Sequence, residues 1–275
     1  MEKAIAGIIE YLHKSRGCDY SGHHTAMLFR RIHFRIEVTK TENINNYLQF
    51  LINNQEEADH LIDALSITVS MFFRNPLAYE IIAHQLLPML YYAKMANGNR
   101  EFRFWSAGCA NGEEPYSLAI LIKDFLAKES EKFSTSIFGT DLEKKNIQFA
   151  KRGVYGPQSV NEVKLGILNR YFKQEGDSYK LNSEIRQSVN YSVYDLLNST
   201  NFAPPESVFG SFDLILCRNV LIYYQPEYQD KIFYKLHRSL QPGGFLVLGE
   251  AERLSDAFIT KFKEINRIAK VYQKI

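Results

Sequence analysis

Cysteine is scarce in this 275-residue chain: Cys18, Cys109 and Cys217 lie far apart, with no CxxC spacing. That pattern builds neither a disulfide framework nor a thiolate metal site, and it fits a reducing compartment. The seven histidines show no ligand spacing, and His23-His24 stand too close in sequence to share a zinc, so no metal site is expected. Long apolar runs are missing too, none approaching the roughly 18–20 residues that cross a bilayer. Glu2 and Lys3 lead into an amphipathic pattern rather than a signal-peptide core. Nor is there an excess of one charge: 33 basic against 31 acidic residues leave a net charge of +2, which forces no nucleic-acid partner. These absences leave a soluble, cytoplasmic globular protein as the expected class.

Apolar and aromatic side chains are abundant. At 45% hydrophobic, with 19 Phe and 17 Tyr, the chain can bury a sizeable core and is not disordered. Its length suits one large domain, or a small one followed by a medium one. Residues 1–70 carry only helical spacing: Ile5, Ile8, Ile9 and Leu12; Leu28, Ile32 and Ile36; Leu48, Leu51, Leu61, Ile62 and Leu65. Breaks fall at Thr41 or Glu42 and at Asn53 or Asn54. Arg30, Arg31, His33, Arg35 and Lys40 concentrate charge in this part.

A longer helix is predicted over about Leu77–Met95, ending near Asn97-Gly98. Strands are then expected at Glu101–Trp105, Thr135–Gly139, Val189–Tyr194, Phe212–Cys217, Gly244–Leu248 and Ala269–Gln273. Helices are expected at Glu113–Lys128, Leu142–Lys151 and Pro226–Leu240. Strands alternating with helices predict an α/β, doubly wound, mainly parallel sheet. The rhythm breaks between Tyr171 and Asn190, with a turn at Gly176-Asp177, which suggests a small antiparallel insertion. Asn198–Ser211 reads as a polar loop near the carboxyl edge of the sheet.

The most informative stretch is FWSAGCANGEEPYSLAI, Phe104 to Ile120. A strand stops at small residues, Ser106 to Gly112, and a helix opens on Glu113-Glu114-Pro115. This layout lets backbone approach a nucleotide-like ligand closely. Acids and proline also suit the positive end of a helix. Two acids there disfavour a phosphate and leave room for a neutral or cationic adenosyl ligand. Asp141, ending the second strand in GTDL, can hydrogen-bond both hydroxyls of a ribose; it can equally cap the next helix. Its separation from Gly112 exceeds the roughly 20 residues usual in NAD sites.

Three further stretches stand out. In TVSMFFRN, Thr68–Asn75, Phe72 and Phe73 are expected in the core, so Arg74 beside them needs a partner or a ligand. Asn219 and Tyr223 follow the buried FDLILC strand, where residues face the ligand crevice of a doubly wound sheet. Cys217 is expected as a small buried residue. Gln241-Pro242-Gly243-Gly244 reads as a structural turn entering a strand.

Taken together, in order along nearly the whole chain, these pieces resemble the CheR family of chemotaxis-receptor methyltransferases, which use S-adenosylmethionine. The resemblance is carried by FFRN at Phe72–Asn75, WSAGCANGEEPYSLA at Trp105–Ala119, GTDL at Gly139–Leu142, RNVLIYY at Arg218–Tyr224 and LQPGGFLVLGEAE at Leu240–Glu252. It implies a Rossmann-like S-adenosylmethionine-dependent methyltransferase domain over 71–275, with a small antiparallel β-subdomain at about 171–190, preceded by an all-α domain over 1–70. It further implies methyl transfer to receptor glutamates, giving methyl esters and S-adenosylhomocysteine.

By the same resemblance, Ala107, Gly108, Glu113, Asp141, Asp195, Leu196 and Asn219 should line the cofactor pocket, with Asp141 on the ribose. Thr68, Ser70 and Arg74 should close over it. Arg74 and Tyr223 should lie nearest the transferred methyl. Thr68 and Ser70 stand where the family usually has Asn and Thr, and Asp195-Leu196-Leu197 where it usually has Asn-Leu-Leu. The insertion lacks the glycine-flanked tyrosine with which some members grip a receptor tail. An acidic receptor coiled coil is the expected partner, docked through Arg30, Arg31 and Arg35 on a monomeric enzyme.

Rival readings are a same-fold methyltransferase with another acceptor and a non-catalytic, cofactor-sensing signalling protein. A sensor would be free to lose Arg74 and Tyr223, and both are present. Nucleic-acid methylation would call for an N/D-P-P-Y/F motif. The nearest string here, Ala203-Pro204-Pro205-Glu206, lacks both its ends.

Overall fold

A computed structural model describes residues 2–66, 70–198, 200–208 and 210–275. Thr68 lies outside them. The chain divides into two units: Met1–Thr68 with Tyr223–Gln229, and Val69–Ile222 with Asp230–Ile275.

The first unit packs α1 (Glu2–Arg16), α2 (Thr25–Thr39), α3 (Ile44–Asn53) and α4 (Gln55–Leu65). The apolar positions spaced along each helix meet in one core, where Ile8, Leu12, Leu28, Ile32, Leu51 and Leu61 are buried. Asn43 starts α3, its side chain accepting from the Asn45 and Asn46 amides. The segment Tyr223–Gln229 returns to this unit: His24 N donates to Tyr223 O (2.9 Å) and Gln225 N to Gly22 O (2.9 Å).

The unit corrects one expectation. Arg35 was assigned to partner docking on its place in a basic run. It lies beside the buried Ile32 and Ile36, one turn from each other on α2, and forms a two-pronged ion pair with Glu57 of α4 (2.9 and 2.7 Å). Its side chain is only 14% exposed. Tyr47 donates to the same carboxylate (2.7 Å), completing an internal cluster. Arg30 stays exposed, whereas Arg31 is half-buried.

The second unit opens with α5 (Pro76–Ile81), a π-helical turn at Ile82–Leu86 and α6 (Leu87–Ala96). One continuous α-helix was expected. Pro88 has no amide and its ring crowds the carbonyl four residues back, so the ladder widens and Leu87 N bonds Ile82 O instead. Then follow β1 (Glu101–Ala107), α7 (Glu113–Leu126), β2 (Ser134–Asp141), α8 (Lys144–Arg152), β3 (Val154–Tyr155), α9 (Leu165–Tyr171), β4 (Phe172–Glu175), β5 (Ser178–Leu181), α10 (Ser183–Gln187), β6 (Val189–Val193), β7 (Phe212–Cys217), α11 (Pro226–Ser239), β8 (Leu240–Leu248), α12 (Asp256–Ile259), β9 (Phe262–Asn266) and β10 (Val271–Lys274).

The main sheet has the order β6-β2-β1-β7-β8-β10-β9, parallel from β6 to β8, with β10 antiparallel to both neighbours. The fold is thus a Rossmann-like sheet with an antiparallel edge. The chain leaves β1 towards β2 and β6, and leaves β7 the other way, so the carboxyl ends of β1 and β7 flank a topological switch point. β7 is buried along its whole length, Asp213 included, as the mainly apolar FDLILC stretch predicts. β3, β5 and β4 form the small antiparallel sheet. Its third strand, β3, precedes the stretch in which the sequence placed the insertion. β9 was not foreseen, because Phe-Lys-Glu-Ile-Asn is short and mostly polar. The Gln241–Gly244 stretch lies inside β8, where the register slips between Phe212 and Leu214, rather than as a turn before it.

Candidate active site

The carboxyl end of β1 is built for close approach. Ala107 is fully buried. Gly108 then turns with φ +75°, and a Cβ there would meet Val220 Cγ2 at 2.5 Å. The amides of Gly108 and Cys109 both donate to Thr140 O at 2.8 Å, which ties the turn to β2. At Gly112 (φ +92°) a Cβ would lie 2.7 Å from the Tyr191 hydroxyl oxygen. Any larger residue at either glycine would force the turn off the sheet edge. Cys109 and Cys217 are buried, and burial pushes both thiols up.

The two acids that open α7 have different surroundings. Glu114 accepts from the Ser106 hydroxyl (2.8 Å) and faces Arg218 Nη1 (3.4 Å). Glu113, 1% exposed, accepts from the Ser159 hydroxyl (3.2 Å) and from Ser70. Its Oε2 is buried with no hydrogen-bond partner among the described residues. Burial pushes both carboxyls up, offset at Glu113 by its own amide and the two serines, and at Glu114 chiefly by Arg218. A buried carboxylate oxygen without a donor is costly unless a ligand fills it.

Asp141 ends β2, at the sheet edge. Its carboxylate accepts from the Glu143 amide (3.0 Å), the Asn146 side chain (3.0 Å) and the Ala110 amide (2.9 Å). It pins the β1 turn and holds the Glu143 amide, while α8 starts two residues later than expected, with Glu143 and not Asp141 at its N-cap. A carboxylate has about four acceptor sites, so capacity for a further donor remains. Burial pushes this carboxyl up as well, against those three hydrogen bonds. Beside it, Tyr194 N donates to Asp141 O (2.9 Å), and the turn Asp195–Asn198 leaves β6 at the same sheet edge. Leu196 is buried there, and Asp195 Oδ1 accepts from the Leu197 amide (2.7 Å).

At the end of β7, Asn219 takes a left-handed conformation (φ 59°). The cause is Glu252, whose carboxylate accepts from the amides of Asn219 (2.9 Å), Val220 (2.8 Å), Leu221 (2.7 Å) and Gly249 (2.6 Å). Arg218, buried, donates to Arg74 O (2.7 Å) and Asn75 Oδ1 (3.0 Å). Phe73 and Asn75, on either side of Arg74, both have positive φ (55° and 61°), and Phe73 N is held by Ser117 Oγ (3.0 Å). Strained backbone of this kind, costing of order 1–3 kcal/mol per residue, persists only where neighbours fix it. Phe72 is core, packed edge-on to Tyr155 and Phe172.

The structure thus gathers Ala107, Gly108, Glu113, Asp141, Asp195, Leu196 and Asn219 along one sheet edge. Ser70 joins Glu113 there, and Arg74 is set by Arg218. Tyr223 belongs to the segment grouped with the helical unit. The sequence reasoning missed Ser159, Arg218 and Glu252. Arg218 and Glu252 stand inside motifs already singled out, where an ionisable residue amid apolar neighbours was the available signal; Ser159 gave none.

Comparison with known proteins points the same way. Residues 68–270 match the model described as CheR methyltransferase, SAM binding domain, and residues 3–66 that described as CheR methyltransferase, all-alpha domain. The chain is 32% identical over 252 residues to an uncharacterized 104.1 kDa protein of Rhodobacter capsulatus, covering 92% of this chain but only 26% of that relative. It is 33% identical over 200 residues to chemotaxis protein methyltransferase 1 of Pseudomonas aeruginosa, covering 71% of this chain and 70% of the relative. It is 30% identical over 254 residues to a chemotaxis protein methyltransferase of Listeria innocua, covering 92% and 91%.

Proposed function

The chain belongs to the CheR family of S-adenosylmethionine-dependent methyltransferases, and on that premise we propose that it methylates glutamate side chains of chemotaxis receptors, giving glutamate methyl esters and S-adenosylhomocysteine. The observation that carries the cofactor assignment is the buried Oε2 of Glu113, which has no hydrogen-bond partner among the described residues. The end of an amino-acid moiety carries an ammonium, which is the donor this carboxylate lacks. Asp141 retains acceptor capacity for a ribose hydroxyl. The residues present fit the cofactor.

When bound, S-adenosylmethionine supplies an electrophilic methyl on a sulfonium centre. Glu113 would hold the amino-acid end, helped by Ser70 and, in the family's pattern, by Thr68. Asp141 would hold the ribose, Asp195 and Leu196 would flank the base, and Ala107, Gly108 and Asn219 would line the floor. A receptor glutamate, with an ordinary pKa of about 4.3, is already ionised at neutral pH, so this chain need supply no general base. Its residues then act by positioning, which can contribute roughly 7–11 kcal/mol. Arg74, its main chain fixed by Arg218, would steer the acceptor carboxylate, and Tyr223 would orient it. Arg30 and Arg31 would meet an acidic receptor surface, without Arg35. The enzyme would work as a monomer in the cytoplasm; no helix among the described residues is long and apolar enough to cross a membrane.

The test is incubation with methyl-labelled S-adenosylmethionine and the cytoplasmic domain of a chemotaxis receptor from the same source. Label that mild alkali releases as methanol is expected. Alkali-stable label would point to another acceptor. No transfer by protein that binds S-adenosylhomocysteine, across all receptors of that source, would contradict the receptor assignment.

A further inference from the structure

The turn after β6 is held from outside by one buried cation. Lys235, on α11, is only 4% exposed. Its ammonium donates to two main-chain carbonyls of that turn, Asn198 O (2.6 Å) and Asp195 O (3.3 Å). It also lies 4.7 Å from the centroid of the Tyr194 ring, the residue that leads into the turn. The same helix fastens the loop further on: the Ser239 hydroxyl donates to Phe202 O (2.6 Å), and Arg238 covers the Phe202 ring at 4.1 Å. Tyr194 closes the loop on itself, its hydroxyl donating to Asn201 O (2.6 Å).

A lysine is a costly choice for this task, because burying an ammonium sacrifices its hydration. Burial pulls Lys235 down to about 8, against the opposing pull of Asp195. Two carbonyls at a surface turn could instead be met by water. The placement explains the choice. On the proposed function, where the family resemblance sets Asp141 on the ribose and Asp195 and Leu196 beside the base, the base lies at the end of β6, the neighbour of β2 in the sheet. The turn under Lys235 is therefore the wall of the base subsite. Its geometry decides how well a flat aromatic ring seats between Leu196 and the sheet edge.

We propose that Lys235 is a positioning residue for the base-binding turn, tuning affinity for the adenine portion of the cofactor without touching it. This rests on the cofactor assignment above. The test compares S-adenosylhomocysteine with S-ribosylhomocysteine, which keeps the ribose and amino-acid ends but lacks the base, by calorimetric titration. In Lys235→Met the stem is preserved and the donors are lost. Affinity for S-adenosylhomocysteine should fall about ten-fold, the equivalent of about 1.4 kcal/mol. Affinity for S-ribosylhomocysteine should change less than about two-fold, since that ligand never meets the turn. Lys235→Gln, which keeps an amide donor, should fall between wild type and Lys235→Met, and it serves alone if the methionine variant does not fold. Equal loss for both ligands, or loss for neither, would overturn the role of Lys235 while leaving the cofactor assignment in place. Failure of the wild-type protein to bind S-adenosylhomocysteine would overturn the cofactor assignment itself.

Discussion

Buried carboxylates occur at both ends of the parallel strands, and they differ in how completely they are satisfied. At the amino end of β7, Asp213 is fully buried and pairs with Lys94 (2.9 Å), itself 7% exposed. The Arg103 amide (2.8 Å) and the Gln241 side chain complete its shell. At the carboxyl end, Glu113 leaves one oxygen without a donor among the described residues, and Asp141 has acceptor capacity to spare. Burial pushes Asp213 up, as it does the other two, but there Lys94 opposes it. A saturated buried carboxylate holds strands together; one with an unfilled oxygen is stabilised only when something else arrives. Glu113 and Glu114, adjacent in sequence, repeat the contrast at one helix start, because Arg218 reaches Glu114.

If that contrast is right, variants at the two ends should separate stability from binding. Asp213→Ala strands the Lys94 ammonium in the core and should cost about 3–5 kcal/mol in urea unfolding. Its affinity for S-adenosylhomocysteine, measured where it remains folded, should match wild type. Asp141→Ala should act chiefly on binding, weakening that affinity by about 100-fold, or roughly 2.7 kcal/mol, with a smaller loss of stability because the Ala110 and Glu143 amides and the Asn146 side chain lose their acceptor. Glu113→Gln should weaken binding about ten-fold. The ligand-free variant should melt no lower than wild type, because a poorly satisfied charge has been removed.

The smallest effect is in pH. The folded-state pKa values of Glu113 and Asp141 are raised by burial, so the folded protein holds protons that the unfolded chain has released. Their contribution to stability is present below the usual carboxylate range and is lost as pH rises through the raised values. An ammonium on Glu113 pulls its pKa back down. Binding should therefore release a fraction of a proton and tighten as pH rises through that window. Titration in two buffers of different ionisation enthalpy would measure the release, and Glu113→Gln should diminish it.

Much of this was legible in the sequence, for a physical reason. The β1 turn needs small residues, the helix start favours acids, and β7 needs a mainly apolar run, so each leaves a local pattern. What was hidden depends on contacts far apart in the chain. Nothing near Glu252 reveals that it will gather amides around residue 220, and nothing near Lys94 names Asp213. The π-helical turn follows from Pro88, yet the apolar spacing around it still spells one helix. Arg35 misled because a run of basic residues does not show which member faces an acid on another helix. Glu113 and Glu114 could not be told apart until Arg218 was seen to reach only the second.

The most direct test is calorimetric titration of S-adenosylhomocysteine into wild-type protein and Glu113→Gln at neutral pH, with thermal melts of both. Micromolar binding by wild type, weakened about ten-fold in a variant that melts no lower without ligand, is the expected result. Unchanged affinity in the variant, or a variant that loses stability without ligand, would show Glu113 to be as structural as Asp213, and the unfilled oxygen would not mark the cofactor site.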